Sequence, residues 1–200
     1  MNSPSTAAHA VAPLSDLPTS SQQARGLAAG LGVGVLAALF CLAGRGWYES
    51  LVRPKWAPPV TFLALLGIVV ALLSGLAGAH LWAARAPQAR SQVVRSWLWI
   101  QLALGLGWSA AFFGLHSAGW GYAVIMTWWC AVVALLWTGS RLSKMAFWLL
   151  LPLWMWVTFA SSLNFAVLSF NVLRAESAEM DADPRNANSP ADPPIIVKKR

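Results

Sequence analysis

Five long runs of apolar residues divide the chain, at about 26 to 44, 60 to 83, 96 to 115, 118 to 138 and 145 to 172, each nearly free of formal charge. A helix needs roughly 20 apolar residues to cross a hydrocarbon core of about 30 Å, so every run is long enough to span a membrane. Strands of a membrane barrel would alternate apolar and polar positions over about ten residues, whereas "FWLLLPLWMWVTFA" is apolar on every face. The pattern predicts an all-α integral membrane protein, a five-transmembrane-helix bundle over residues 26–173.

The first run follows Arg25 and invites reading as a cleaved leader. It is long for that purpose, and Phe40 stands where the lipoprotein-like "ALFC" ending at Cys41 calls for a small residue. A retained helix is expected. The flanks differ in character: residues 1–25 are rich in Ser, Ala and Pro, and residues 174–200 hold most of the 7 acidic side chains and the string "DPRNANSPADPP". Both read as disordered tails. The terminal "KKR" reads as a solvated end rather than a lipid anchor.

Composition sharpens this picture. Hydrophobic residues make up 58% of the 200, charged residues 10%, and Trp occurs 13 times. The net charge of +7 comes from basic residues scattered through loops, which gives no surface for a nucleic-acid duplex. The Lys and Arg count on the two sides is too even to set orientation, but five spans put the 45–59 connector and the C-terminus on one side. The Ala, Arg and Trp richness suits a bacterial protein, with the cytoplasmic membrane as the default location.

Chemistry is sparse. No Asp or Glu occurs between Ser50 and Ala175, which removes the usual residues for paired-carboxylate catalysis and acid-relay pumping. Cys41 and Cys130 offer neither a disulfide framework nor metal-ligand spacing. His80 and His116 lie near predicted helix ends and read as interfacial side chains rather than haem ligands. No catalytic residue, metal or resident cofactor is expected.

What remains is aromatic surface with a few amides. Gln101, Gly105, Trp108 and Phe112 share one face of the third helix, and Pro152, Trp156, Ala160, Asn164, Val167 and Asn171 form a stripe on the fifth. An unsatisfied amide in hydrocarbon costs several kcal/mol, so Gln101, Asn164 and Asn171 should face inward. They either bond neighbouring helices or line a cavity for a flat, largely apolar ligand, and periodicity does not choose. Trp47, Trp56, Trp82, Trp97, Trp120 and Trp148 fall near helix ends, where indoles belong at headgroup level; Trp108, Trp154 and Trp156 lie deeper. Gly26, Gly30 and Gly34, with Gly67, Ala71, Gly75 and Gly78, make small-residue ridges suited to close helix contact.

Three motifs in order carry a resemblance: "WYESLVRPKWAPP" from Trp47, "QLALGLGWSAAFFG" from Gln101, and "LPLWMWVTFASSLNFAVLSFN" from Leu151. Together they resemble the tryptophan-rich sensory protein (TspO/MBR) family, which includes the translocator protein or peripheral benzodiazepine receptor. The resemblance implies a five-helix bundle, commonly a homodimer, that binds porphyrins and other tetrapyrroles between its helices, with the proline-stiffened connector as a lid. Animal relatives bind cholesterol and benzodiazepine-type drugs. By this resemblance, Trp47, Trp56, Pro58, Pro59, Gln101, Trp108, Phe112, Trp156, Ala160 and Asn164 are the candidate ligand-binding residues, while Phe113, Phe159, Leu163 and Asn171 also match the motifs.

The chain departs from the pattern at several places. Gly67 and Ala71 stand where the family usually has Trp and Tyr, Gly105 where it has Asn, Leu153 where Pro is followed by Tyr, and Phe165 where its sterol-recognition pattern has Tyr. Cholesterol binding is therefore not expected. The implied function is a membrane binding protein for a porphyrin or similar flat hydrophobic ligand, acting as sensor, buffer or transporter. The alternatives are light-dependent porphyrin breakdown and a scaffold whose cavity is packed shut.

Overall fold

The computed structural model describes residues 17–182, with side chains to Met180. Its elements are α1 (Ser20–Ala43), a short α2 (Arg45–Ser50), α3 (Val60–Ala83), α4 (Gln88–Ser109) continued by a π-helical turn (Ala110–Gly114), α5 (Ala118–Gly139) and α6 (Lys144–Ala182). Five of the helices are long and apolar enough to cross a membrane. α1 packs on α3, α3 on α6, α6 on α5, α5 on α4, and α4 returns to α1. The five spans thus close a ring around an interior.

Helix ends differ from the hydropathy pattern because capping and propensity, not apolarity, set them. α1 starts at Ser20: Thr19 Oγ1 accepts from the Gln22 amide at 3.3 Å and Gln22 Oε1 accepts from the Thr19 amide at 2.8 Å, a reciprocal capping box. α4 starts at Gln88, directly after Pro87, and its first polar turns bury Ser91 and Val94 on one face. α6 runs on to Ala182 because nothing between Asn171 and that point breaks a helix. Residues 20–25 and 174–182, expected in disordered tails, are therefore helical. The rest of those tails, residues 1–16 and 183–200 with the terminal "KKR", lies outside the described residues.

The tightest seam is between α1 and α3. A Cβ placed on Gly26 or Gly75 would run into the other residue's carbonyl oxygen, and one on Gly30 into that of Ala71. Only glycine lets these backbones touch, as in small-residue contacts generally. Gly67, on the same predicted ridge, behaves differently: nothing lies within 4 Å of the position its Cβ would take. It faces a hole rather than a helix.

On α6 the buried stripe is Leu153, Trp156, Val157, Ala160, Leu163, Asn164 and Val167. Pro152, expected on that stripe, is exposed. A proline in mid-helix has no N–H to donate, and here it stands on the outer face.

Candidate functional site

Inside the ring, α1, α3, α4, α5 and α6 enclose a small cavity whose polar and aromatic lining includes Gln101, Trp108, Trp128, Trp156 and Ser74. A water-sized sphere's centre has about 40 Å³ to move in, room for water but far below the hundreds of Å³ of a typical ligand site. Gln101 is 1% exposed. Its Oε1 accepts from Trp128 Nε1 at 3.5 Å, and its Nε2 has no partner. Ser74, also 1% exposed, likewise leaves its Oγ unpartnered. A buried donor left unmade costs about 1–3 kcal/mol, and both of these groups, a hydroxyl and an amide, belong to residues lining one cavity.

Two aromatic ladders descend to this cavity from the α2–α3 connector. In the first, Trp47 meets Phe112 edge-on at 5.1 Å, Phe112 stacks on Trp108 at 5.9 Å, and Trp108 approaches Trp128 at 6.1 Å. In the second, Trp56 meets Phe159 edge-on at 5.8 Å and Phe159 stacks on Trp156 at 6.0 Å. Such separations lie within the favourable range for ring pairs. Trp47 is half-buried in this cluster, also 5.3 Å from the His116 ring. His116 holds a φ of 52° at the turn between α4 and α5, a left-handed conformation uncommon without glycine.

The connector is fastened at two points. Asn171 on α6 accepts from the Val52 amide at 3.1 Å and donates to the Val52 carbonyl at 3.0 Å, copying a backbone pairing. Tyr48, fully buried, donates its hydroxyl to the Pro58 carbonyl at 3.1 Å. Burial pushes the Tyr48 pKa above its ordinary value, against the pull of Arg53, whose guanidinium lies 4.7 Å from the ring centre. Glu49, the carboxylate nearest the membrane part, forms an exposed pair with Arg45 one helical turn away at 2.7 Å. That is a surface contact, not a reactive group.

Of the sequence-predicted residues, Gln101, Trp108 and Trp156 line the cavity. Phe112 stands between Trp47 and Trp108 in the first ladder, and Trp56 heads the second while 52% exposed. Asn164 is buried but fully engaged: Oδ1 accepts from Trp108 Nε1 at 3.1 Å and Nδ2 donates to the Ala118 carbonyl at 2.9 Å. Ala160 is buried beside it on the α6 stripe, Pro58 supplies the carbonyl for Tyr48, and Pro59 caps α3 from an exposed position. No residue of the connector lines the cavity among the described residues.

Sequence reasoning missed Trp128 and Tyr48. Trp128 sits on the buried face of α5 with Gly121, Ile125, Val132 and Leu135, at spacings of three and four that a helix apolar on every face does not single out. Gly105 makes room for it, since a Cβ there would lie 2.7 Å from the Trp128 ring. Gly67, Ala71 and Gly105, the small residues at the departures, all line the cavity.

A ring of five spans around an aromatic interior, strapped by a fastened connector, defines a multi-pass integral membrane protein. The match is to a named group: the model of the TspO/MBR family covers residues 26–169, and the chain belongs to that family. It is 35% identical to the tryptophan-rich protein TspO of Chlorobaculum tepidum, over 70% of this chain and 90% of that one. It is 33% identical to protein CrtK of Rhodobacter capsulatus, over 62% and 78%, and 31% identical to the translocator protein of Bos taurus, over 66% and 78%.

Proposed function

We propose that this chain is a membrane receptor for a porphyrin or similar flat hydrophobic molecule, which it holds against Trp108, Trp128 and Trp156 with Gln101 meeting a polar edge. The observation that carries this reading is the unpartnered Gln101 Nε2 in an aromatic cavity. An amide that only tied helices together would have both ends bonded, as Asn164 does. The free volume is about 40 Å³, too little for a porphyrin. Entry requires the cavity to expand, and Gly67, with open space before it, leaves its part of the wall unobstructed.

Titrating the detergent-solubilised protein with protoporphyrin IX while following Trp fluorescence tests this. Saturable quenching in the micromolar range or tighter, weakened in Gln101→Leu, is expected. Quenching no greater than that of an unrelated Trp-rich membrane protein would leave a scaffold with a packed-shut interior.

A further inference from the structure

A second opening lies at the other end of the bundle. α1 meets the π-helical turn at the connector end, where a Cβ on Gly44 would meet the Phe113 backbone and one on Gly114 would lie 3.1 Å from the Phe40 ring. At the end away from the connector, α1, α3 and α4 leave a groove of about 360 Å³ with Arg25, Ala29, Ser74, Gly78, Trp82 and Trp99 among its walls. Trp82 and Trp99 pack edge-on at 6.3 Å, and the Arg95 guanidinium lies 4.8 Å over the Trp82 ring with its Nε buried and unpartnered. Ser74, whose unpartnered Oγ belongs to the interior cavity, borders this groove as well.

Charge says what would occupy it. Arg25, Arg85, Arg90, Arg95, Arg141 and Lys144 all stand at this end. The described carboxylate side chains, Glu49, Glu176 and Glu179, are all at the connector end. Apolar walls with two indoles, and the exposed Arg25 guanidinium at the rim, match an amphiphile with an anionic head. The geometry points to a specific anionic-phospholipid site: the groove holds an acyl chain, and the headgroup phosphate rests on Arg25 with Arg95 beside it. This site is separate from the tetrapyrrole reading and does not depend on it.

The test is native mass spectrometry of the full chain after reconstitution in equimolar phosphatidylglycerol and phosphatidylcholine. Wild type should retain phosphatidylglycerol over phosphatidylcholine by about fivefold or more, the scale of one basic side chain at an anionic surface. Arg25→Gln should reduce that preference while keeping bound lipid, and Ala29→Trp, which fills the groove from an exposed position, should displace the lipid at an unchanged melting temperature. If Ala29→Trp does not fold, Trp99→Ala, which removes a wall on an exposed helix face, should lower retention in its place. Equal retention of the two lipids, or a phosphatidylglycerol preference untouched by these variants, overturns the proposal. So does a wild-type dimer that Ala29→Trp splits without any lipid being retained, which would make the groove a contact between copies.

Discussion

Trp108 on α4 and Asn164 on α6 are joined by a 3.1 Å hydrogen bond from indole Nε1 to amide Oδ1, across the bundle and 56 positions apart in sequence. Asn164 also donates to the Ala118 carbonyl at the start of α5, so one side chain ties three spans together. Its close approach depends on Gly121, where a Cβ would lie 2.9 Å from Asn164 Oδ1. Asn164→Leu should lower stability by about 1–3 kcal/mol, because it strands both the indole N–H and the carbonyl. Thermal unfolding in detergent measures this, and pairing the change with Trp108→Phe should recover part of the loss.

Trp156→Ala should weaken porphyrin binding about tenfold, through lost stacking and contact area. Trp156 is 5% exposed and lines the cavity, whereas Trp120 is 68% exposed. Trp120→Ala should leave affinity within about twofold, as surface changes do. Fluorescence titration of the two variants side by side checks both; equal effects would move the site away from α6.

The connector's fastenings should govern ligand exchange. Asn171→Ala removes both bonds to Val52, and at about 1 kcal/mol for each bond the release rate should rise about tenfold or more. Stopped-flow recovery of Trp fluorescence reads it directly. Unchanged release at normal membrane levels of protein would mean the connector is no lid.

Alkaline pH should loosen the same connector. Tyr48 keeps its proton more tightly in the fold than in the unfolded chain, since burial raises its pKa. The stabilisation is therefore complete below about pH 10, the unfolded value, and is lost as pH rises through the higher folded value. Ligand release should accelerate above about pH 10 in wild type. In Tyr48→Phe that step should vanish, with faster release at every pH because the Pro58 carbonyl has lost its donor.

Gly67 and Gly75 should respond oppositely to alanine. Gly67 has open space before it, so Gly67→Ala should gain up to about 1 kcal/mol from helix propensity. Gly75→Ala would press on the Gly26 backbone and should cost about 1–3 kcal/mol. Melting temperatures of the two variants, moving apart, are the measurement.

The sequence made some relationships legible and hid others for physical reasons. Span number followed from apolar length alone, and the α1–α3 ridge from its small residues. Gly67 looked like part of that ridge because spacing reports which face a residue occupies, not whether a neighbour fills it. In lipid every face of a helix is apolar, so the inward face of α5 carried no contrast, and Trp128 was lost among Trp120, Trp129 and Trp137. Placing Pro152 on the α6 stripe failed similarly: a position four residues before Trp156 fits the period, but Leu153 took the inward place. The partner of each amide was beyond reach, since nothing local distinguishes Asn164, with both ends bonded, from Gln101, with one end free.

The glycine seam between α1 and α3 also bears on how the molecule is made. These spans leave the ribosome before the other three of the ring, and backbone contact between them needs nothing from the helices that follow. They can pair as soon as both are inserted, as two-stage assembly in a bilayer requires. α6, made after the other four spans of the ring, packs between α3 and α5 and closes it. Trp156 arrives with it, so the aromatic cavity is complete only after α6 is seated, and a nascent chain stalled before α6 would be inserted and partly paired but without that cavity.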